Sequence, residues 1–318
     1  MKNLSLKAPI SVIDRFFMTP GDLRILLILR PAFAILLFIN VLVLWQDRHM
    51  FYGPESTVSF ELYQSMTANG FWSMFQVFPY SSTTVDIYFT LMLASIVWLG
   101  SGYWCRPAAL VTFVLLTGLQ NGNSMIFDGE DTMFRLFTFF MIFVPGADVL
   151  KKTRESAEAN PNSAWPVWPL RMFQLQMCLM FFCCALQKLR GEQWADGTAL
   201  YYVFRLYDFY KLQLPDFMVE STTWIAVMSW GVIVFELVAP ILIWFKETRI
   251  PTILSLIVFH LFLEATMSLF LFHWIMILGW LTFVGVDDLK ALCPAFLRKA
   301  PAPEAESLPS TQMARSTV

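Results

Sequence analysis

The hydrophobic positions of this chain gather into runs longer than ~18 residues, a length that suits a bilayer better than a soluble core. The first run, 23–45, follows a polar segment, 1–22, that carries Lys2, Lys7 and Arg15. At ~1.5 Å per residue it crosses ~30 Å of hydrocarbon, too long for a signal-peptide core, and no A-x-A site follows, so the helix is expected to stay attached. Arg24 and Arg30 fall in its first two turns, where long side chains snorkel to the headgroups. Further spans are predicted at 85–103, 107–126, 131–150, 169–186 and 222–245. The apolar run 250–284 fits two short helices better than one, and splitting it near 268–270 gives eight spans.

The polar intervals fill in the rest. The loop 46–84 holds one basic residue, Arg48, among many aromatics; its middle, 57–78, is too interrupted by Ser, Thr, Asn and Gly to span and is predicted to lie on the surface as a lid. An acidic turn, Asp128, Gly129, Glu130, Asp131, separates the third and fourth spans. Beyond Asp287 the chain is Pro- and Ala-rich from Ala300 and is predicted to be disordered. The expected organisation is a cytoplasmic segment, 1–22, a transmembrane domain, 23–286, and a cytoplasmic tail, 287–318, with no soluble domain.

Composition supports an all-α, polytopic helical membrane protein: 57% of residues are apolar and 14% charged, against ~25% charged in ordinary soluble domains. The net charge of −2 and the lack of a basic run give no reason to expect a nucleic-acid partner; the partner implied is the lipid bilayer. Five cysteines, at 105, 178, 183, 184 and 293, follow neither metal-ligand nor disulfide spacing and read as packing residues. Counting Lys and Arg by loop places both termini in the cytoplasm. One loop breaks the pattern. The extracytoplasmic stretch 188–211 carries Lys188, Arg190, Arg205 and Lys211, together with Tyr201, Tyr202, Tyr207 and Tyr210, which points to ligand contact in an extracytoplasmic-facing pocket.

Ionisable groups inside spans are costly and are functional candidates by default: Arg135, Lys188, Glu236, His260, Glu264 and His273. His260 and Glu264 share a helix face at four-residue spacing, and Glu236 and His260 are expected at similar depth, where they would meet. A structural ion pair accounts for this equally well. Lys188 is expected at the outer interface, either as a partly desolvated amine able to act as a base or as a lysine snorkelling at a helix end, with Asp128 to Asp131 on the same face as acidic partners. No G-x-S-x-G elbow, P-loop or HExxH is present, and three histidines, at 49, 260 and 273, make a weak metal or heme case, so no metal is expected.

Lys188-Leu189 followed by Trp194-x-Asp196-Gly197 resembles the segment after a membrane helix in vitamin K-dependent γ-carboxylase, where a Lys-Leu pair precedes Trp-x-acid-Gly. Phe235-Glu236-Leu237, and Phe259-His260 leading to Ser268 and Phe272, resemble its later helices. The bacterial branch sharing this part is the horizontally transferred transmembrane (HTTM) domain family, and the resemblance spans about residues 12 to 288. It implies that Lys188 is a base toward reduced vitamin K or another quinol, with O2 and CO2 as further reactants and a peptide glutamate as substrate. No counterpart of the luminal domain that grips the carboxylase's propeptide is expected, and the acidic turn 128–131 stands where a carbanion-stabilising His is expected. The resemblance therefore implies quinol–oxygen activation more directly than carboxylation. Bacterial relatives include a membrane component that matures a secreted peptide toxin with a soluble partner protein, which implies a bacterial inner-membrane location.

Two functional readings follow. In the first, the chain is a γ-carboxylase-like enzyme that modifies a peptide, with Lys188 as base, His260, Glu236 and Glu264 as a supporting network, and Trp194, Asp196, Gly197, Tyr201, Arg190 and Asp131 on the substrate side. Segments 46–84 and 194–212 would wall the pocket. In the second, the same cluster grips an anionic lipid or peptide without catalysis and assists peptide maturation or export.

Overall fold

The computed structural model describes residues 7–57, 61–62, 72–146, 165–206, 211–212, 214–285 and 288. Among these residues the regular structure is helical: α1 (Lys7–Met18), α2 (Arg24–Gln46), α3 (Arg48–Tyr52), α4 (Met74–Val77), α5 (Ser82–Ser101), α6 (Cys105–Gln120), α7 (Gly129–Met141), α8 (Trp168–Lys188), α9 (Glu192–Ala195), α10 (Ala199–Val203), α11 (Asp216–Val219), α12 (Thr222–Leu242), α13 (Lys246–Thr266) and α14 (Phe272–Leu281). Five of them, α2, α5, α8, α12 and α13, are long and apolar enough to cross a membrane. Their outer faces agree with that reading. Ile35, Val97, Leu179, Val227 and Val258 are exposed, and such a surface suits lipid rather than water.

The predicted spans map closely onto the long helices and less closely onto the short ones. The third span ends at Gln120 instead of 126, because Asn121 and Gly122 turn the chain and Asn123 caps a separate 3-10 turn, Ser124–Ile126, by accepting from the Met125 N–H at 3.2 Å. The fourth begins at Gly129 and its helix ends at Met141; residues 147–150 of that prediction lie outside the described residues. At 16, 13 and 10 residues, α6, α7 and α14 are shorter than a span needs. The split of the last run is where expected, with a turn at 267–271 in which Leu271 takes a left-handed conformation, φ 52°. Most of the proposed lid, 58–60 and 63–71, lies outside the described residues. Its far end is anchored: Asn121 Nδ2 donates to the Trp72 carbonyl at 2.8 Å.

Helix α2 packs on α5, α5 on α6, α6 on α7, α8 on α12 and α13 on α14. Aromatic contacts tie the centre together. Phe137 of α7 meets Phe173 of α8 edge-on at 5.0 Å, Phe33 of α2 leans on Phe134 at 5.8 Å, and Trp280 of α14 meets Phe181 of α8 edge-on at 4.7 Å. Helix α1, formed by a segment expected only to be polar, is fastened near the start of α8. The Arg171 guanidinium sits 4.7 Å from Phe16 and 5.2 Å from Trp244, and Gly21 and Val167 donate to Trp165 and Thr19 carbonyls at 3.1 and 3.0 Å.

Candidate functional site

Helix α8 ends at Lys188 because the next N–H groups tighten the last turn, Arg190 bonding to Gln187 O at 3.1 Å and Gly191 to Lys188 O at 2.9 Å. A lysine there completes the negative end of the helix dipole. Helical side chains lean toward the N-terminus of their own helix, so Lys188 reaches back along the bundle to Glu236 of α12. Its Nζ lies 2.7 Å from both Glu236 oxygens. The lysine side chain is 22% exposed and the glutamate 9%. The Trp194 indole stands over Nζ at 5.3 Å.

The segment after α8 is pressed onto α12. Gly197 has φ 80°, and a Cβ there would sit 3.1 Å from the Ala226 Cβ, so both backbone and space require glycine. Leu200 N–H donates to Ser229 Oγ at 3.3 Å, and lower down Cys178 Sγ donates to the Pro240 carbonyl at 3.6 Å, which sets the register of α8 on α12. Asp196 Oδ1 accepts from the Thr198 hydroxyl and N–H at 2.6 and 2.9 Å, and these bonds hold its carboxyl below the usual carboxylate range. Within the Trp194–Gly197 block, then, Trp194 faces the lysine while Asp196 and Gly197 shape the turn that puts it there.

Other sequence-predicted residues have different neighbours. The Asp131 carboxylate accepts from the Asp128 N–H at 3.1 Å and from Asn40 Nδ2 at 3.2 Å, so it closes the start of α7 as half of a capping box. Tyr201 lies under the Arg205 guanidinium at 3.6 Å, and Arg190 is exposed. Tyr207 and Tyr210 lie outside the described residues. The expected Glu236–His260 contact gives way to two separate pairs: Glu236 is held by Lys188, and His260 Nδ1 lies 3.3 Å from His273 Nδ1. Glu264 pairs with Lys211 at 2.8 Å instead of His260. Depth along a helix is legible in sequence, whereas the direction a side chain faces around the bundle is not. The sequence signal is only that a buried carboxylate needs a cation; that Lys188 ends the helix packed on the one carrying Glu236 comes from the structure.

Fold and site together define a polytopic helical membrane protein with a lysine–glutamate pair set between two spans under an aromatic cover. The HTTM domain family model matches residues 18–287, and the chain belongs to that family. It is 26% identical over 171 residues to the sporulation-delaying protein SdpB of Bacillus subtilis (strain 168), covering 50% of this chain and 52% of the relative. The chain thus matches about half the length of that curated relative. No solved structure matches the chain significantly.

Proposed function

We propose that this HTTM-family protein is an integral-membrane enzyme of the γ-carboxylase type, in which the Lys188–Glu236 pair is the proton acceptor for a quinol, O2 is the oxidant and a peptide is the substrate modified. The observation that carries this reading is the pair itself, with Nζ 2.7 Å from both carboxylate oxygens and little access to water. A proton moving within it turns ammonium and carboxylate into amine and carboxylic acid with no net charge created. The amine form can then take a hydroxyl proton. Trp194 offers an aromatic face that suits a planar phenolic head. An apolar cleft of about 640 Å³ between α7, α8 and α12 reaches Pro240, one turn along α12 from Glu236, and suits a hydrocarbon tail. A reduced quinone bound there supplies the electrons for oxygen activation; Lys188 takes up the proton, Glu236 orients and shares it, and Trp194 keeps water from the amine.

Use of CO2, a soluble partner protein, eight crossings with both termini cytoplasmic, an outward-facing site and a bacterial inner-membrane location belong to the same proposal. The non-catalytic alternative, a module gripping an anionic lipid or peptide, has less support at this position because Glu236 already neutralises Lys188. The test is Lys188→Arg, assayed as oxidation of menaquinol and of vitamin K hydroquinone in membranes. Arginine keeps the charge but cannot release a proton near neutral pH. Turnover is expected to vanish in a variant of parental stability, and undiminished turnover overturns the reading.

A further inference from the structure

We infer that His260 and His273 form a two-imidazole proton relay buried between α13 and α14. The relay stands on the geometry of the two rings and does not depend on the quinol reading. The tight turn at 267–271 folds α14 back on α13 and brings the rings together, with centroids 5.6 Å apart and Nδ1 facing Nδ1 at 3.3 Å. His260 is 2% exposed and His273 0%. Phe181, Phe259 and Phe272 surround them, the first edge-on to His260 at 6.0 Å.

Two facing Nδ1 atoms make a hydrogen bond only when one carries the proton and the other a lone pair. With no net charge on the pair, the donor ring then has a bare Nε2 and the acceptor ring an Nε2–H. The pair is a donor at one end and an acceptor at the other. Both Nε2 atoms are buried with no hydrogen-bond partner among the described residues, and leaving such groups unsatisfied is destabilising. A pair of apolar side chains would pack the same space without that cost, so packing alone does not account for the histidines.

The charged groups acting on this pair lie at one end of α13. Glu264, one turn beyond His260, is close enough for its charge to act on His273, as is that of Lys211. Glu264 Oε1 binds Lys211, while Oε2 is buried without a partner among the described residues. The Lys211 side chain is 43% exposed, which gives this cluster its solvent end. At the other end, His260 abuts Phe181, seven residues before Lys188 on α8.

A proton handed to the bare Nε2 lets that ring pass its Nδ1 proton to the facing Nδ1, and the second ring gives up its Nε2 proton; the Glu264 carboxyl is the proton donor or acceptor on the His273 side, and a water or substrate hydroxyl takes the opposite part on the His260 side. One proton enters, one leaves, and no charge or electron remains. The tautomers have then exchanged, so the next proton travels in the opposite direction without either buried ring rotating. The device suits a reaction cycle that gives up a proton in one half and takes one back in the other.

The experiment uses the full chain in lipid nanodiscs with 15N-labelled histidine and no substrate. Nitrogen shifts of the two buried rings are expected to show one Nδ1–H and one Nε2–H tautomer, with a coupling across the Nδ1···Nδ1 bond. Two Nε2–H tautomers overturn the proposal. Deuterium exchange of the His260 ring N–H is then compared in the parent and in His273→Asn, whose amide keeps a hydrogen-bonding group at the Nδ1 position but cannot pass a proton. Exchange is expected to slow at least about tenfold while the buried Trp280 indole N–H, which reports local opening, is unchanged. Equal His260 rates in the two proteins overturn the relay. Should the variant lose its Trp280 resonance through misfolding, the parental tautomers still decide.

Discussion

Glu236→Gln removes one charge from the buried pair while keeping size and one acceptor oxygen, leaving the Lys188 ammonium facing an amide. Removing one partner of a fully buried pair costs ~3–5 kcal/mol. Here the lysine side chain is 22% exposed, so water relieves part of that cost, and the loss expected for Glu236→Gln is ~2–3 kcal/mol. Lys188→Met is expected to cost at least as much, because it strands the more buried partner, whose side chain is only 9% exposed. Replacing both, as Lys188→Met with Glu236→Leu, exchanges the pair for apolar side chains, and such swaps return stability to within ~1 kcal/mol of the parent or raise it. In the cycle formed by Lys188→Met, Glu236→Leu and the two combined, the coupling between positions 188 and 236 should therefore be ~2 kcal/mol or more. Reversible SDS unfolding in mixed micelles at neutral pH, followed by tryptophan fluorescence, measures it. Single variants within ~0.5 kcal/mol of the parent, the range of ordinary surface changes, or a double variant as unstable as the sum of the singles, would refute the claim that the pair is a coupled buried unit.

Gly197→Ala should cost ~2 kcal/mol, combining the left-handed backbone with the 3.1 Å approach to Ala226. Gly231→Ala, at a site on α12 with nothing within 4 Å, should be neutral or stabilising by up to ~1 kcal/mol; the reverse order in thermal unfolding sinks both assignments. Asp131→Ala should lower stability by ~1–2 kcal/mol through loss of the capping box, and reduced turnover at parental stability would instead mark Asp131 as a substrate contact. In a background with the native cysteines replaced, Glu192→Cys should react with an impermeant maleimide from outside and Thr248→Cys only after the membrane is opened, and labelling of both from one side contradicts the proposed orientation.

Much of the fold is legible in the sequence because lipid imposes a length. The long helices start and stop within a few residues of the predicted limits, and the break in the last apolar run falls at 267–271 as expected. The short helices depart further from those limits because apolar content alone does not reveal where Asn121 and Asn123 end one helix and cap a separate turn. Within the candidate site, the cost of burial marks Lys188 and Glu236 as residues of interest and the γ-carboxylase resemblance adds Trp194, but neither says which of them touch. Asp131, expected on the substrate side and as an acidic neighbour of Lys188, closes the capping box of α7 in the fold.

By itself, then, the sequence determined that the chain enters a bilayer, roughly where its long helices begin and end, and which ionisable groups inside them are costly enough to need a partner. Those follow from hydropathy and from the free energy of burying charge, both local properties. Only the tertiary structure decided that Glu236 turns to Lys188 and not to His260, that the two histidines face each other across a turn, and that Gly197 presses Trp194's loop onto α12. The rotation of each helix about its axis is set by the packing of its neighbours, which no single segment encodes.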